Sequence, residues 1–263
     1  MEGNVGRRAG IPGEALTFSV ALGPGESDDE VRWSGGGYPA AGTGRRFSTS
    51  FATGGTFMVI ATRGPGSLPF EVTICPLDEW LSAAKDFYGS SIDFSRVRIR
   101  TSRAVLGPSG TAWTCNDVVR FKQPRIADEL PRESTLIHEL GHVWEHQTGQ
   151  MQLLAGLVEQ IGRPFGKDPY DYGGPEGAAA ARALTDLRKE AQAQIVTEYW
   201  KSQHGHLKDR RTVPFSTPGY VENLQRLVEG AGIGAASPRQ RRPGSVLDAI
   251  VAQVVNGVLG FFE

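Results

Sequence analysis

The stretch Leu136-Ile137-His138-Glu139-Leu140-Gly141-His142-Val143-Trp144-Glu145-His146 decides how the second half of the chain folds. Residues four apart on a helix lie on one face, one turn apart, so His138 and His142 can present their imidazoles to the same point. Leu136, Ile137, Leu140, Val143 and Trp144 give that helix an apolar surface, which predicts that it packs inward from about Pro131 to Gln147. Pro131 suits a first helical position, and Thr148-Gly149 suits a stop. In His-Glu-x-x-His the two rings can hold one zinc ion. Glu139 then sits beside a water whose pKa the ion lowers, and takes its proton while the ion polarises a scissile carbonyl. The plainer alternative is a surface helix with two satisfied histidines and an incidental glutamate.

His146 looks like a further ligand but stands eight residues after His138, about 12 Å along a straight helix. One ion does not bridge that span, so His146 reads as surface or as a partner of a ligand. A metzincin would place a glycine at position 145 and a histidine at position 148. Here those positions are Glu145 and Thr148. A third ligand must therefore come from another element. Residues 178 to about 203 read as one long helix offering Asp186, Glu190 and Glu198. Glu190 is preferred, because Leu187, Ala191 and Ile195 border it and can pack inward. On the same face Gln194 is placed to hydrogen-bond a ligand histidine or Glu190 itself. The alternative for Glu190 is a solvated carboxylate neutralised by Arg188 or Lys189. Two histidines and a carboxylate leave a fourth position open, as catalytic rather than structural zinc requires. Tyr170, Tyr172, His204, His206 and Tyr220 are candidates to stabilise an oxyanion. Tyr170 and Tyr172 rank first, since they lie in the loop from Phe165 to Gly177 that precedes the ligand helix.

Outward toward the N-terminus the pattern changes to short alternating runs. These are Leu16–Val20, Val31–Trp33, Phe47–Phe51, Thr56–Ala61 and Phe70–Ile74, separated by Gly-rich turns. Such spacing leaves no room for crossover helices and predicts antiparallel pairing in a small sandwich. Pro76 marks a boundary, after which a helix runs from Asp78 toward Phe87. Ser95–Arg100 reads as a strand with Val97 and Ile99 inward. Cys115–Phe121 reads as another, an edge beside the metal helix able to hold an extended substrate by backbone pairing. Shorter helices follow at Tyr220–Val228 and Val246–Phe262. The expected class is α+β: a small antiparallel β-sandwich over residues 1–76, then a mainly helical zincin-like domain over residues 77–263 carrying a C-terminal helix.

Charge and composition narrow the function classes. The 28 basic and 29 acidic residues nearly cancel, and no long basic run supplies the phosphate neutralisation that nucleic-acid binding needs. Arg210-Arg211 and Arg239-Gln240-Arg241-Arg242 read as solvated loops. The two cysteines, Cys75 and Cys115, are too few for a disulfide framework; a single bridge and two buried thiols both remain open. The first residues lack the apolar core of a secretory signal, so action outside the cytoplasm requires another route or a longer parent chain. In Val246–Phe262, Asp248, Gln253 and Asn256 interrupt the apolar run. That favours a docked amphipathic helix over a membrane span, with a partner- or membrane-surface helix as the alternative.

The region from Leu81 to Trp200 resembles a bacterial group of His-Glu-x-x-His zinc metallopeptidases, the type VI secretion-associated (VgrG-linked) effector peptidases. His138–Gln147 carries most of the resemblance. Glu190–Trp200 and Ile92–Ile99 continue it. The resemblance implies His138, His142 and Glu190 as zinc ligands, Glu139 as general base, and a protein or peptide substrate. It also implies delivery by a contractile secretion apparatus into a target-cell periplasm, with a secretion-apparatus protein and an immunity protein as partners. Leu16–Ile74 is similar to an immunoglobulin-like sandwich, through Val31–Gly37 and Gly54–Ala61.

Overall fold

Alternation in the N-terminal region becomes two sheets closed over one core. In a computed structural model of the chain, residues 2–5, 8–105, 107–150, 168, 170–204 and 215–234 are described. The strands are β1 (Glu2–Val5), β2 (Ala9–Gly10), β3 (Ala15–Ala21), β4 (Arg32–Gly35), β5 (Ala41–Thr43), β6 (Arg46–Ser50), β7 (Gly55–Arg63) and β8 (Gly66–Ile74). One sheet has the order β1-β3-β6 and the other β2-β8-β7-β4-β5. In β3, Leu16, Phe18 and Val20 point inward while Ala15, Thr17 and Ala21 are exposed, the two-residue period of a half-buried strand. They share a core with Trp33, Phe47, Phe51, Val59, Phe70, Val72 and Ile74. Trp33 stacks on Phe47 at 5.7 Å between ring centres, and its indole N–H donates to the Gly44 carbonyl at 2.7 Å. Fully burying a side chain such as Phe18 stabilises by about 1.5–3 kcal/mol, so this core is carried by many comparable contributions.

Pairing is antiparallel except at one edge, where β2 runs parallel to β8. That is a correction to the all-antiparallel expectation. The dipeptide Ala9-Gly10 is too short to show a period in sequence. β8 also starts four residues before the apolar run at Phe70, because it continues its pairing with β7 up to the Arg63–Gly66 turn.

The remaining strands are β9 (Arg98–Ser102), β10 (Ala112–Cys115) and β11 (Val118–Lys122), in the order β10-β11-β9. The segment expected as one strand from Cys115 to Phe121 is split by Asn116, which takes φ 55°. Asparagine is among the few residues that adopt this left-handed conformation readily, so a turn forms there. The strand expected from Ser95 begins at Arg98, since Ser95 donates its N–H and hydroxyl to the Asp93 carboxylate and closes a turn.

Five α-helices lie among the described residues: α1 (Leu77–Tyr88), α2 (Glu133–Gln147), α3 (Gly174–Ala180), α4 (Lys189–His204) and α5 (Tyr220–Gly230). The single long helix expected from residue 178 is in fact α3, a short 3-10 turn at Leu184–Asp186, and α4. Asp186 accepts the Ala183 N–H at 3.0 Å, and Ala183 and Leu187 are extended, which stops α3 from running into α4. None of these helices is long and apolar enough to cross a membrane. Cys75 and Cys115 are both buried free thiols. The helix expected at Val246–Phe262 and the basic clusters at 210–211 and 239–242 lie outside the described residues.

Packing divides the chain into two compact units. One comprises Met1–Leu81, Thr101–Thr111 and Phe121–Pro131; the other comprises Ser82–Arg100, Ala112–Arg120 and the described residues from Arg132 onward.

Candidate metal centre

Helices α2 and α4 pack closely because their contact is built from the two smallest residue types. A Cβ at Gly141 would lie 3.2 Å from both Cα and Cβ of Ala193. This is tighter than ordinary van der Waals contact, so α2 needs glycine where it meets α4. From α1, the buried Tyr88 hydroxyl donates to the Ile137 carbonyl at 2.7 Å, fixing the turn that carries His138. At the start of α4, Gln192 donates to the Leu187 carbonyl at 2.8 Å and closes the turn that carries Glu190.

This crossing brings His138, His142 and Glu190 together, with one possible ligand atom from each lying within 4.8 Å of the other two. The Glu190 Oε2 is 3.2 Å from His138 Nε2 and 3.4 Å from His142 Nε2. His142 and Glu190 are buried, while His138 is partly exposed and marks the open side. The group is able to hold a metal ion.

Charge around the trio favours a cation at its centre. Burial by itself would raise the Glu190 pKa, but hydrogen bonds from His138 and His142 outweigh it and hold the carboxyl far below the usual carboxylate range. Burial likewise opposes charge on His142, yet Glu145 first and Glu190 second raise its pKa well above that of an ordinary imidazole. The donor set, two imidazole nitrogens and one carboxylate oxygen converging from two helices, matches the three protein ligands of catalytic zinc rather than a closed structural site.

Glu139 directly follows His138 on α2. Its Oε2 accepts a hydrogen bond from the Thr114 hydroxyl on β10 at 2.7 Å, and the same hydroxyl lies 3.2 Å from the Glu139 carbonyl. Both residues are buried. β10 is an edge strand of its sheet and packs against α2.

The other residues singled out in sequence fall elsewhere. His146 is partly buried and is not part of the trio. Asp186 is exposed and caps its own turn. Glu198 is buried two turns along α4 from Glu190, where it accepts hydrogen bonds from Tyr172, Tyr220 and Gln194. Gln194 therefore serves Glu198 rather than a ligand histidine. The hydroxyls of Tyr172 and Tyr220 are engaged there, and burial, reinforced by Glu198, raises both phenol pKa values. His204 stacks on Trp200 and hydrogen-bonds its carbonyl at 2.9 Å. His206 lies outside the described residues. Among the four described oxyanion candidates, Tyr170 is the one beside the trio, its ring centre 5.6 Å from that of His138.

Two residues of this region escape sequence reasoning. Thr114 carries no motif, since only the packing of β10 on α2 brings it to Glu139. Glu145 stands three residues after His142 on the same helix, so its spacing was visible. It appears in sequence only as the position where a metzincin would have glycine.

No protein-family profile matches this chain. The chain is similar to a type VI secretion system spike protein. That relative is VgrG2b of Pseudomonas aeruginosa, 32% identical over 128 residues. The match takes in 46% of this chain and only 12% of the length of VgrG2b.

Proposed function

We propose that this chain is a zinc-dependent hydrolase, a metallopeptidase of zincin-like build, that works as an effector in type VI secretion. The observation that carries the proposal is the convergence of His138, His142 and Glu190 within 4.8 Å, with Glu139 on the same helix. A zinc ion held by that trio supplies Lewis acidity: it polarises a carbonyl and makes water easier to deprotonate. The chain's own residues do the rest. Glu139 accepts the proton of the attacking water and later passes it to the leaving amine. The Thr114 hydroxyl holds its carboxylate in place meanwhile. We take Tyr170, whose ring lies beside that of His138, as the donor to the developing oxyanion. The edge strand β10 offers backbone groups to an extended peptide, which favours a protein or peptide substrate. The similarity to a type VI secretion system spike protein supports an association with the secretion apparatus; action in a target-cell periplasm and an immunity protein in the producing cell are part of the proposal itself.

That same similarity favours one other reading, a non-catalytic adaptor of the apparatus in which zinc only braces the fold. Glu139→Gln separates the two. As an enzyme, the variant retains zinc and its melting temperature but loses about 10²- to 10⁴-fold in peptide hydrolysis, and loses toxicity when directed to the periplasm. Equal activity or equal toxicity in the variant and the parent contradicts the peptidase reading.

A further inference from the structure

His142 stands between two carboxylates, and they do different work. Glu190 faces its Nε2. Glu145, one turn along the same helix, faces its Nδ1, with Oε2 at 3.1 Å. Glu145 is 0% exposed, and its other oxygen, Oε1, has no hydrogen-bond partner among the described residues. A carboxylate in so dry a place, with half its hydrogen-bonding capacity unused, is costly and is not explained by packing. It is explained by what it does to the ring. A carboxylate oxygen can only accept, so the Nδ1 nitrogen must carry the hydrogen. With a hydrogen held on Nδ1, Nε2, which faces Glu190 Oε2 at 3.4 Å, is the nitrogen that would offer its lone pair once an ion takes the place of its hydrogen.

We infer that Glu145 is a positioning residue of the metal centre: it fixes His142 in the Nδ1–H tautomer and aims its Nε2 lone pair at the ion. The same contact sets the ring's rotation about its own bond, because Nδ1 is tied to the helix that carries it. His138 and His142 meet nearly edge to face, at 86° between ring planes and 5.0 Å between centres. Their nitrogens therefore approach the common point from different directions. Loss of the Glu145 contact frees His142 to turn or to take the other tautomer, which puts a hydrogen where the ion must bind. Carboxylates in this relation to a ligand histidine typically contribute 10- to 100-fold in metal affinity.

The inference rests on the metal-site reading, and two measurements keep their failures apart. The first is competitive zinc titration of the full chain, comparing the parent with Glu145→Gln and Glu145→Leu, with melting temperature as the check on folding. Gln keeps an acceptor for the Nδ1 hydrogen and should lose only a few-fold. Leu removes it and should lose about 10- to 100-fold. Zinc binding by the parent with unchanged affinity in a folded Leu variant overturns the role of Glu145 alone. No zinc binding by the parent overturns the metal reading itself. The second measurement needs no variant: the imidazole nitrogens of the zinc-loaded parent are observed by nitrogen-15 NMR. The expected signal is a slowly exchanging Nδ1–H on His142 with Nε2 lacking hydrogen. An Nε2–H tautomer at that ring contradicts the inference, even if every Glu145 variant fails to fold.

Discussion

The sandwich and the α2–α4 pair bury their side chains for opposite reasons. The sandwich core is built from apolar side chains, among them Phe18, Trp33 and Phe70, whose burial stabilises the fold. The helix pair buries Glu139, His142, Glu145, Gln147, Glu190, Gln192, Thr197, Glu198 and Lys201. Burying such groups is unfavourable unless each finds a partner. The first region is therefore organised for stability. The second accepts a stability cost to hold polar and charged groups in separate clusters, the His138–His142–Glu190 trio and the Glu198–Tyr172–Tyr220 knot among them. Perturbed buried groups of this kind are where chemistry is expected.

If that contrast is right, substitutions in the two regions move different observables. The largest effect is expected at Glu190→Ala, which removes one of the proposed ligands and should abolish stoichiometric zinc binding by the purified chain. Metal analysis checks it, and full occupancy in the variant breaks the contrast. Trp33→Ala in the sandwich should cost about 3–5 kcal/mol in denaturant unfolding while leaving zinc affinity in the folded fraction unchanged. Coupled loss of both properties would show that the regions are not separate in this way.

How far the sequence revealed each region follows the same division. The sandwich was legible because alternation is local: Leu16–Val20 and Phe70–Ile74 announce which face is buried. Its parallel edge strand, Ala9-Gly10, was not, because two residues have no period. At the candidate metal centre, the pairing of His138 with His142 was legible through helical spacing, and the structure gathers both into a group that could hold a metal ion. Glu190 was singled out among three carboxylates by its apolar neighbours, and the structure places it against both rings. The partners of these groups were hidden for a physical reason. Thr114 reaches Glu139 only through tertiary packing. Gln194, expected at a histidine, instead joins Glu198, Tyr172 and Tyr220, a knot that no local pattern encodes.

Smaller effects sharpen the comparison. Gly141→Ala gains about 1 kcal/mol of helix propensity but forces α4 away from α2, at about 1–3 kcal/mol for overpacking. The expected net is a modest fall in melting temperature with a measurable fall in zinc affinity. An unchanged affinity would mean that the close helix contact does not set the site.

The metal-free protein should also show a pH window. The Glu190 value is depressed on folding, so its contribution is present above its ordinary value of 4.5 and declines as pH falls below it. The His142 value is raised, so its contribution is complete below its ordinary value of 6.5 and declines as pH climbs above that. The Glu190 shift comes from His138 and then His142, and the His142 shift from Glu145 and then Glu190, so thermal stability of the metal-free chain should be greatest between those two values and fall on either side. A melting temperature that is flat from pH 4 to 8 contradicts it. The smallest effect is expected at the thiols: burial pushes Cys75 up to about 12 and raises Cys115 as well. Neither should react with a thiol reagent at neutral pH until the chain is unfolded.

The account stands most directly on where a zinc ion binds. Crystals of the zinc-loaded chain, measured on both sides of the zinc absorption edge, locate it without reference to activity. The expected result is one anomalous peak about 2.0–2.2 Å from His138 Nε2, His142 Nε2 and a Glu190 carboxylate oxygen. A zinc ion bound elsewhere, or bound by the histidines with Glu190 turned away, would contradict it.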